Sequence, residues 1–137
     1  MTLLWLDDIR DPMDTKVDWL GRFSPIGRYP YVVWVKSYDE FVAFITNNGL
    51  PDGICFDHDL GKETESELLR KGYSKKDARR LKKEEKTGYD CAKWLIEYCL
   101  DRDINIPPYG LQTSNEAGKE NIDCLLSNYK KMYERTH

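Results

Sequence analysis

Residues 54–61 read Ile54-Cys55-Phe56-Asp57-His58-Asp59-Leu60-Gly61. The apolar half of this stretch follows a turn-forming Pro-Asp-Gly triplet at 51–53, and the stretch ends at a glycine, which is typical of a short buried strand. Two carboxylates with a histidine between them come directly after the apolar residues. The sequence therefore predicts a strand whose carboxyl end carries Asp57, His58 and Asp59.

An earlier stretch has the same form, since the apolar residues 2–6 end in the pair Asp7-Asp8. In a parallel sheet both strand ends lie at one edge, where open α/β folds bind their ligands. Carboxylates that converge there repel one another unless a cation neutralises them, and such oxygen ligands favour Mg²⁺ or Mn²⁺. We therefore expect a metal site formed by Asp7, Asp8 and Asp57, to which Asp59 contributes its carboxylate or only its backbone carbonyl. The alternative is that these acids only solvate loops or cap helices.

The composition indicates one globular domain that spans residues 1–137. Hydrophobic residues make up 40% of the chain and charged residues 33%, which excludes a disordered chain. No apolar run is long enough to cross a membrane, and the N-terminus lacks the basic flank of a signal peptide. The four cysteines show no CxxC spacing, so we expect reduced thiols and a cytoplasmic location.

Charge is distributed unevenly along the chain, whose net charge is −3. Residues 62–86 contain ten Lys or Arg and six Asp or Glu, a balance of +4, whereas the rest of the chain has a balance of −7. Two helix-capping signals, at Thr64 and Ser74, fall within this segment and are separated by Gly72. We expect a basic helical insertion after the third strand, either as a solvated face or as a mobile flap that contacts an anionic ligand.

The order of elements predicts an α/β fold. Strands are indicated at about residues 2–7, 31–35, 53–56 and 109–112. Helices are indicated after Ser37, after Thr87 and after residues 113–115. In each place a residue type that caps helices precedes apolar residues spaced three and four apart. The connection up to Pro30 lacks a helical period and is expected to be irregular and packed by its aromatic residues. This alternation favours a three-layer domain around a mostly parallel sheet of about four strands.

His58 has two interpretations. A lone histidine beside a strand usually packs in place or supports a neighbouring group. Beside a metal it can instead act as a general acid or base. The other histidine, His137, is the last residue of the sequence, so His58 is the only plausible catalytic imidazole.

Several polar residues could bind a phosphate at the same edge of the sheet. Thr113 ends the fourth predicted strand, and its hydroxyl and Asn115 could supply hydrogen-bond donors, although this segment could equally just cap the last helix. Arg10 lies just after the acidic pair and could clamp a phosphate. Gln112 and Lys119, on either side of this segment, complete the predicted ligand-binding residues.

These motifs resemble the receiver domain of two-component response regulators, in which acids hold Mg²⁺ and one aspartate is phosphorylated. The closer resemblance is to the cyclic-phosphate processing receiver domains. It rests on four motifs: Leu6-Asp7-Asp8-Ile9-Arg10-Asp11-Pro12, Phe56-Asp57-His58-Asp59-Leu60-Gly61, Thr87-Gly88-Tyr89-Asp90 and Thr113-Ser114-Asn115-Glu116-Ala117-Gly118-Lys119-Glu120-Asn121-Ile122. The resemblance runs through nearly the whole chain and implies a receiver-like, flavodoxin-like fold.

The chain departs from the resemblance in two places. The family commonly has His-Ser where this chain has Gln112-Thr113, so a second imidazole is absent. The lysine that follows the fifth strand of true receivers has no counterpart, because we expect that strand to be missing and Lys119 to be helical.

The resemblance implies a phosphoric ester hydrolase that depends on Mg²⁺ or Mn²⁺ and acts on a cyclic phosphate of a nucleotide or a nucleic acid end. Asp57, His58 and Thr113 are its implied catalytic residues. Two alternatives stay open. One is a signalling module in which Asp57 accepts a phosphoryl group, and the other is a non-catalytic binder that holds an anionic nucleotide with the basic segment. No membrane partner is expected, and the sequence identifies no protein partner.

Overall fold

The computed structural model describes residues 1–61 and 64–137 and contains one parallel sheet with the strand order β2-β1-β3-β4. The strands are β1 (Thr2–Leu6), β2 (Tyr31–Val35), β3 (Gly53–Phe56) and β4 (Tyr109–Leu111). The helices are α1 (Trp19–Phe23), α2 (Tyr38–Asn48), α3 (Glu65–Arg70), α4 (Lys75–Glu84), α5 (Gly88–Arg102) and α6 (Glu116–Thr136). The predicted receiver-like α/β fold with a sheet of about four strands is confirmed, and a fifth strand is absent from the described residues.

The register of the sheet decides which residues meet at its carboxyl edge. Leu6 of β1 is the partner of Phe56 of β3, and Phe56 is the partner of Leu111 of β4. The hydrogen bonds continue one residue further, since the Asp57 amide donates to the Leu6 carbonyl at 2.9 Å and the Gln112 amide to the Phe56 carbonyl at 3.2 Å. The residues that follow these three strands are therefore fixed side by side.

The two faces of the sheet are covered differently. Alternate strand residues such as Leu6 and Phe56 pack with buried side chains of α2, α5 and α6 in the larger apolar cluster. On the other face, Trp5 and Cys55 pack against the connection between β1 and β2. Such three-layer packing is typical of a parallel sheet, which must be buried on both sides.

The connection between β1 and β2 is less irregular than the sequence suggests. It contains the short helix α1, which is capped by the Asp18 side chain accepting a hydrogen bond from the Gly21 amide. A helix of this length shows too few turns for an apolar period to be detected. Its aromatic residues Trp19 and Phe23 do pack on the sheet, as expected.

The segment after β3 forms two helices, α3 and α4, which begin at the capping residues Thr64 and Ser74. Residues 62 and 63, the first two of the predicted insertion, lie outside the described residues. The Gly88 amide donates to the His58 carbonyl at 2.8 Å, so the chain leaves the sheet edge and returns to it at one point. The two helices therefore form a hairpin whose base is closed by a backbone hydrogen bond.

No helix in the described part of the chain combines the length and apolar character needed to span a membrane.

Replacing residues 64–84 with a short Gly-Ser loop should leave the sheet and its covering helices folded, because both apolar clusters lie outside the hairpin. We expect a loss of at most about 2 kcal/mol in the free energy of unfolding, measured in urea with circular dichroism. An unfolded product would show that the buried residues Leu68 and Ala78 stabilise the rest of the protein as well as the hairpin.

Candidate metal centre at the sheet edge

Three carboxylates meet at the carboxyl edge of the sheet. One oxygen each of Asp7, Asp8 and Asp57 lies within 4.8 Å of the other two. Asp7 is 0% exposed and Asp57 is 3% exposed, whereas Asp8 is half-buried. Asp7 and Asp57 come together because they follow paired residues of adjacent strands. This group could therefore hold a metal ion.

The Asp7 side chain is fixed by the turn that follows β1. Its Oδ1 accepts hydrogen bonds from the amides of Ile9 and Arg10 at 3.0 and 2.9 Å. Two indoles anchor the same turn, since Trp34 Nε1 donates to the Asp7 carbonyl at 2.7 Å and Trp5 Nε1 donates to the Arg10 carbonyl at 2.9 Å. The remaining oxygen, Oδ2, faces the other groups of the site.

Among the described residues, Arg10 supplies the positive charge that contacts these acids. Its Nη1 lies 3.3 Å from Asp7 Oδ2 and 3.6 Å from Asp57 Oδ2, so one guanidinium contacts both buried carboxylates. The arginine side chain is 17% exposed. Arg10 thus offsets part of the negative charge and lies where it could also reach a bound phosphate.

The ionised form of these carboxylates remains unfavourable despite the charge of Arg10. Burial and the nearby Asp7 carboxylate raise the pKa of Asp57 from 3.8 to about 6, against the opposing effects of the Thr113 hydroxyl and Arg10. Burial is also the largest cause that raises the pKa of Asp8, and the charge of Asp7 adds to it. A bound cation would stabilise the ionised form of each carboxylate and relieve this conflict.

His58 is held by the acid that follows it. Its Nδ1 lies 3.0 Å from Asp59 Oδ1 and 3.3 Å from Asn115 Nδ2, and Asn115 Nδ2 also donates to Asp59 Oδ2 at 3.4 Å. A carboxylate oxygen accepts a hydrogen bond, so the shorter contact, with Asp59, assigns the proton to Nδ1. Nε2 is then the acceptor of the neutral ring. Within the described residues Nε2 has no hydrogen-bond partner. The ring also packs on Gly118 of α6, where a Cβ would lie 2.4 Å from the His58 Cγ.

Gln112 contributes a buried amide group next to Asp7. Its Nε2 donates to the Leu6 carbonyl at 2.9 Å and to Asp7 Oδ2 at 3.4 Å. These two acceptors fix the orientation of the amide, because the flipped form would bring its oxygen against them. Gln112 is 3% exposed, and its Oε1 has no partner among the described residues. An orphaned acceptor of this kind fits a hydrogen-bond donor brought by a ligand or by its water shell.

The remaining predicted site residues lie around the first turn of α6. The Thr113 hydroxyl lies near enough to the Asp57 carboxylate to lower its pKa, and Thr113 Oγ1 accepts from the Asn115 amide at 3.1 Å. Asn115 is the N-cap of α6. Lys119 lies one turn further along the helix and is half-buried. The binding roles predicted for these residues stay predictions.

Asp59 is the predicted metal ligand that lies outside the group of three carboxylates. Asp59 is exposed, its carboxylate contacts His58 and Asn115, and it is not part of the group of three carboxylates. Sequence reasoning did not assign a role to Gly118, which makes room for the His58 ring. A glycine inside a helix costs about 1 kcal/mol relative to alanine, and that cost is the signal that could have identified it.

Comparison with known proteins agrees with this architecture. Residues 2–128 match the cyclic-phosphate processing receiver domain, so the chain belongs to that family of receiver-like domains. The predicted resemblance is confirmed, and it connects the protein with the processing of cyclic phosphates. No curated protein and no solved structure gives a significant match.

Changing Asp57 to Asn should stabilise the metal-free protein at pH 7, by on the order of 1 kcal/mol. The pKa of Asp57 is higher in the folded than in the unfolded protein, so wild-type stability falls as pH rises from about 4 through about 6. The advantage of Asp57→Asn should therefore shrink towards pH 4. Added Mg²⁺ or Mn²⁺ should stabilise only the wild type.

Urea unfolding at several pH values, with and without metal, would check this. Asp52→Asn is the matched control, since Asp52 accepts from the Thr2 amide at the opposite edge of the sheet. An Asp57→Asn variant that gains as much stability from metal as the wild type would exclude Asp57 as a ligand.

Changing Gln112 to Glu should lower the free energy of unfolding at pH 7 by about 1–3 kcal/mol, because a carboxylate oxygen would face the Leu6 carbonyl and Asp7 Oδ2. Divalent metal should recover part of that loss. Gln112→Leu is the control that removes the donor without adding charge, and it should destabilise less. Equal stability of the two variants would contradict this account of the Gln112 environment.

Proposed function

We propose that this protein is a divalent-metal-dependent phosphoesterase that hydrolyses a cyclic phosphate on a nucleotide or a nucleic acid end. The observation that carries this proposal is the pair of buried carboxylates, Asp7 and Asp57, followed directly after Asp57 by an imidazole whose Nε2 is unpaired within the described residues. Family membership supports the substrate class.

Mg²⁺ and Mn²⁺ fit the donor set, which consists of hard carboxylate oxygens from Asp7, Asp8 and Asp57. The raised pKa of Asp57 and the orphaned Gln112 Oε1 support the same assignment, since a hydrated cation would satisfy both. The cation would supply positive charge that polarises a phosphoryl oxygen and makes an attacking water more acidic.

Arg10 and Thr113 are suited to hold the phosphate. Arg10 Nη1 already lies 3.3 and 3.6 Å from the two buried carboxylates, so an incoming phosphate and cation would exchange its partners without moving it far. The Thr113 hydroxyl, which lies near enough to Asp57 to lower its pKa, could donate to a phosphoryl oxygen. Both groups would stabilise charge that develops on the phosphate as the water oxygen attacks.

His58 is suited to move the proton. Opening a cyclic phosphate forms a bond between phosphorus and the water oxygen and breaks one ester bond, so the water must lose a proton and the departing oxygen must gain one. Asp59 holds the imidazole through Nδ1, which leaves Nε2 to take the first proton or deliver the second. Asp59 then acts by positioning His58.

A panel of cyclic mononucleotides, cyclic oligonucleotides and 2′,3′-cyclic phosphate ends, each with Mg²⁺ or Mn²⁺, would test the proposal. Turnover that requires metal and is lost in Asp57→Asn is the expected result. Binding without turnover would favour a sequestering role. Labelling of Asp57 by acetyl phosphate, with no turnover of any cyclic phosphate, would favour a signalling module and overturn the proposal.

His58→Ala should lower turnover by about a hundredfold or more while metal binding and the folded fraction stay nearly unchanged. His137→Ala is the matched control, because His137 is the other histidine of the sequence and its contacts are with Tyr133 and Asp103, not with Asp7, Asp8 or Asp57. If activity instead falls only in proportion to the folded fraction, His58 is a packing residue.

A further inference from the structure

A cleft of about 370 Å³ lies in the connection between β1 and β2. Its lining includes Met13, Asp18, Trp19, Arg28 and Tyr29. This volume falls within the range of about 300–1,000 Å³ that small-molecule sites occupy. Of these five side chains, packing on the sheet accounts only for Trp19, and none belongs to the group of three carboxylates.

Trp19 joins the cleft to the metal centre. Its ring lines the cleft, and the Arg10 Cζ lies 5.6 Å from the ring centroid. The same guanidinium contacts the Asp7 and Asp57 carboxylates. A phosphate held by Arg10 would therefore have the cleft on one side and the acids on the other.

The lining of the cleft suits a planar heteroaromatic group. Trp19 is stacked on Phe23 with the ring centroids 6.1 Å apart, which holds it in place. Tyr29 is 91% exposed, so packing within the chain does not explain its aromatic ring. At the rim, Arg28 Nη2 and Asp18 Oδ2 form an exposed ion pair at 2.7 Å and offer both a donor and an acceptor. Stacking surfaces with polar groups at their edge are how proteins bind nucleobases.

We propose that this cleft binds the base of a nucleoside phosphate whose phosphate group lies between Arg10 and the acid cluster. The base stacks against Trp19 and Tyr29, and its edge reaches Asp18 and Arg28. This inference rests on the proposed function for the position of the phosphate, and it assigns a binding site to the base of that substrate.

A second cavity, of about 410 Å³, lies beneath the α3–α4 hairpin and is a weaker match. Leu60, Leu68 and Leu81 form its apolar lining, and Lys36 and Lys82 are at its polar part. No aromatic ring is among the described residues that line it. It therefore lacks a surface on which a base could stack.

The test compares adenosine 2′-monophosphate with glycerol 2-phosphate, which has the same type of phosphate ester but no base. Both are monoesters, so hydrolysis of a cyclic phosphate would not consume them during calorimetry with Mg²⁺. We expect the adenosine ester to bind at least about tenfold more tightly. Tyr29→Ala should weaken its binding by about five- to a hundredfold and leave glycerol 2-phosphate unaffected. Trp19→Leu also removes the ring beside Arg10, so it should weaken binding of both esters, and that of the adenosine ester by the larger factor.

Tyr31→Ala is the matched control, because Tyr31 is also highly exposed, at 72%, and does not line the cleft. Equal affinity for the two esters, or a preference that survives both cleft substitutions, overturns the proposal. Should Trp19→Leu fail to fold, Tyr29→Ala decides alone, since removing so exposed a side chain leaves the packing intact.

Adenosine itself separates this inference from the proposed function. If neither ester responds to metal or to Asp57→Asn, but adenosine quenches tryptophan fluorescence and Tyr29→Ala abolishes the quenching, the cleft stands and the phosphoesterase proposal fails. If adenosine shows no binding that depends on Tyr29, alone or as its monophosphate, the cleft is not a base site.

Discussion

The closeness of two buried carboxylates is the constraint on which the site depends. Asp7 and Asp57 follow paired residues of adjacent strands, so they cannot move apart unless the sheet loses its register. Burial and the charge of Asp7 raise the pKa of Asp57, and the Thr113 hydroxyl, Arg10 and the His58 amide offset this only in part. The fold thus keeps two carboxylates in an arrangement that is unfavourable without a cation and favourable with one. Binding sites commonly lower the stability of the free protein in this way.

The first turns of α5 and α6 each contact the end of β3 through a glycine. At Gly88, a Cβ would lie 1.7 Å from the Asp57 carbonyl oxygen, so only glycine lets α5 begin against β3. At Gly118, the absence of a side chain lets the His58 ring lie on α6. The backbone of Asp57 and the ring of His58 are therefore held by contacts from elements far apart in the sequence. Rigid support of this kind is what a reacting group needs to keep its geometry.

Local sequence signals predicted the strands, the capped helices and the meeting of Asp7, Asp8 and Asp57, because strand ends in a parallel sheet share an edge. They did not predict where each side chain points. Asp59 belongs to the same motif as Asp57, yet its carboxylate lies against His58 and Asn115, a contact between residues 58–59 and α6 that no local pattern encodes. The sequence did not predict the cleft around Trp19 for the same reason. Its lining comes from residues 12–20 and 28–30 of a connection that has no clear helical period.

The α3–α4 hairpin leaves the sheet and rejoins it where the Gly88 amide meets the His58 carbonyl. A segment closed at its base in this way can gain or lose helical turns while the strand register stays the same, because loop length has only a weak effect on the entropy of closure. The hairpin is therefore the place where descendants of this chain can lengthen, shorten or exchange a structural module. Asp7, Asp57 and His58 would be inherited unchanged. The segment next to them could therefore change in sequence and length faster than the groups that carry the chemistry.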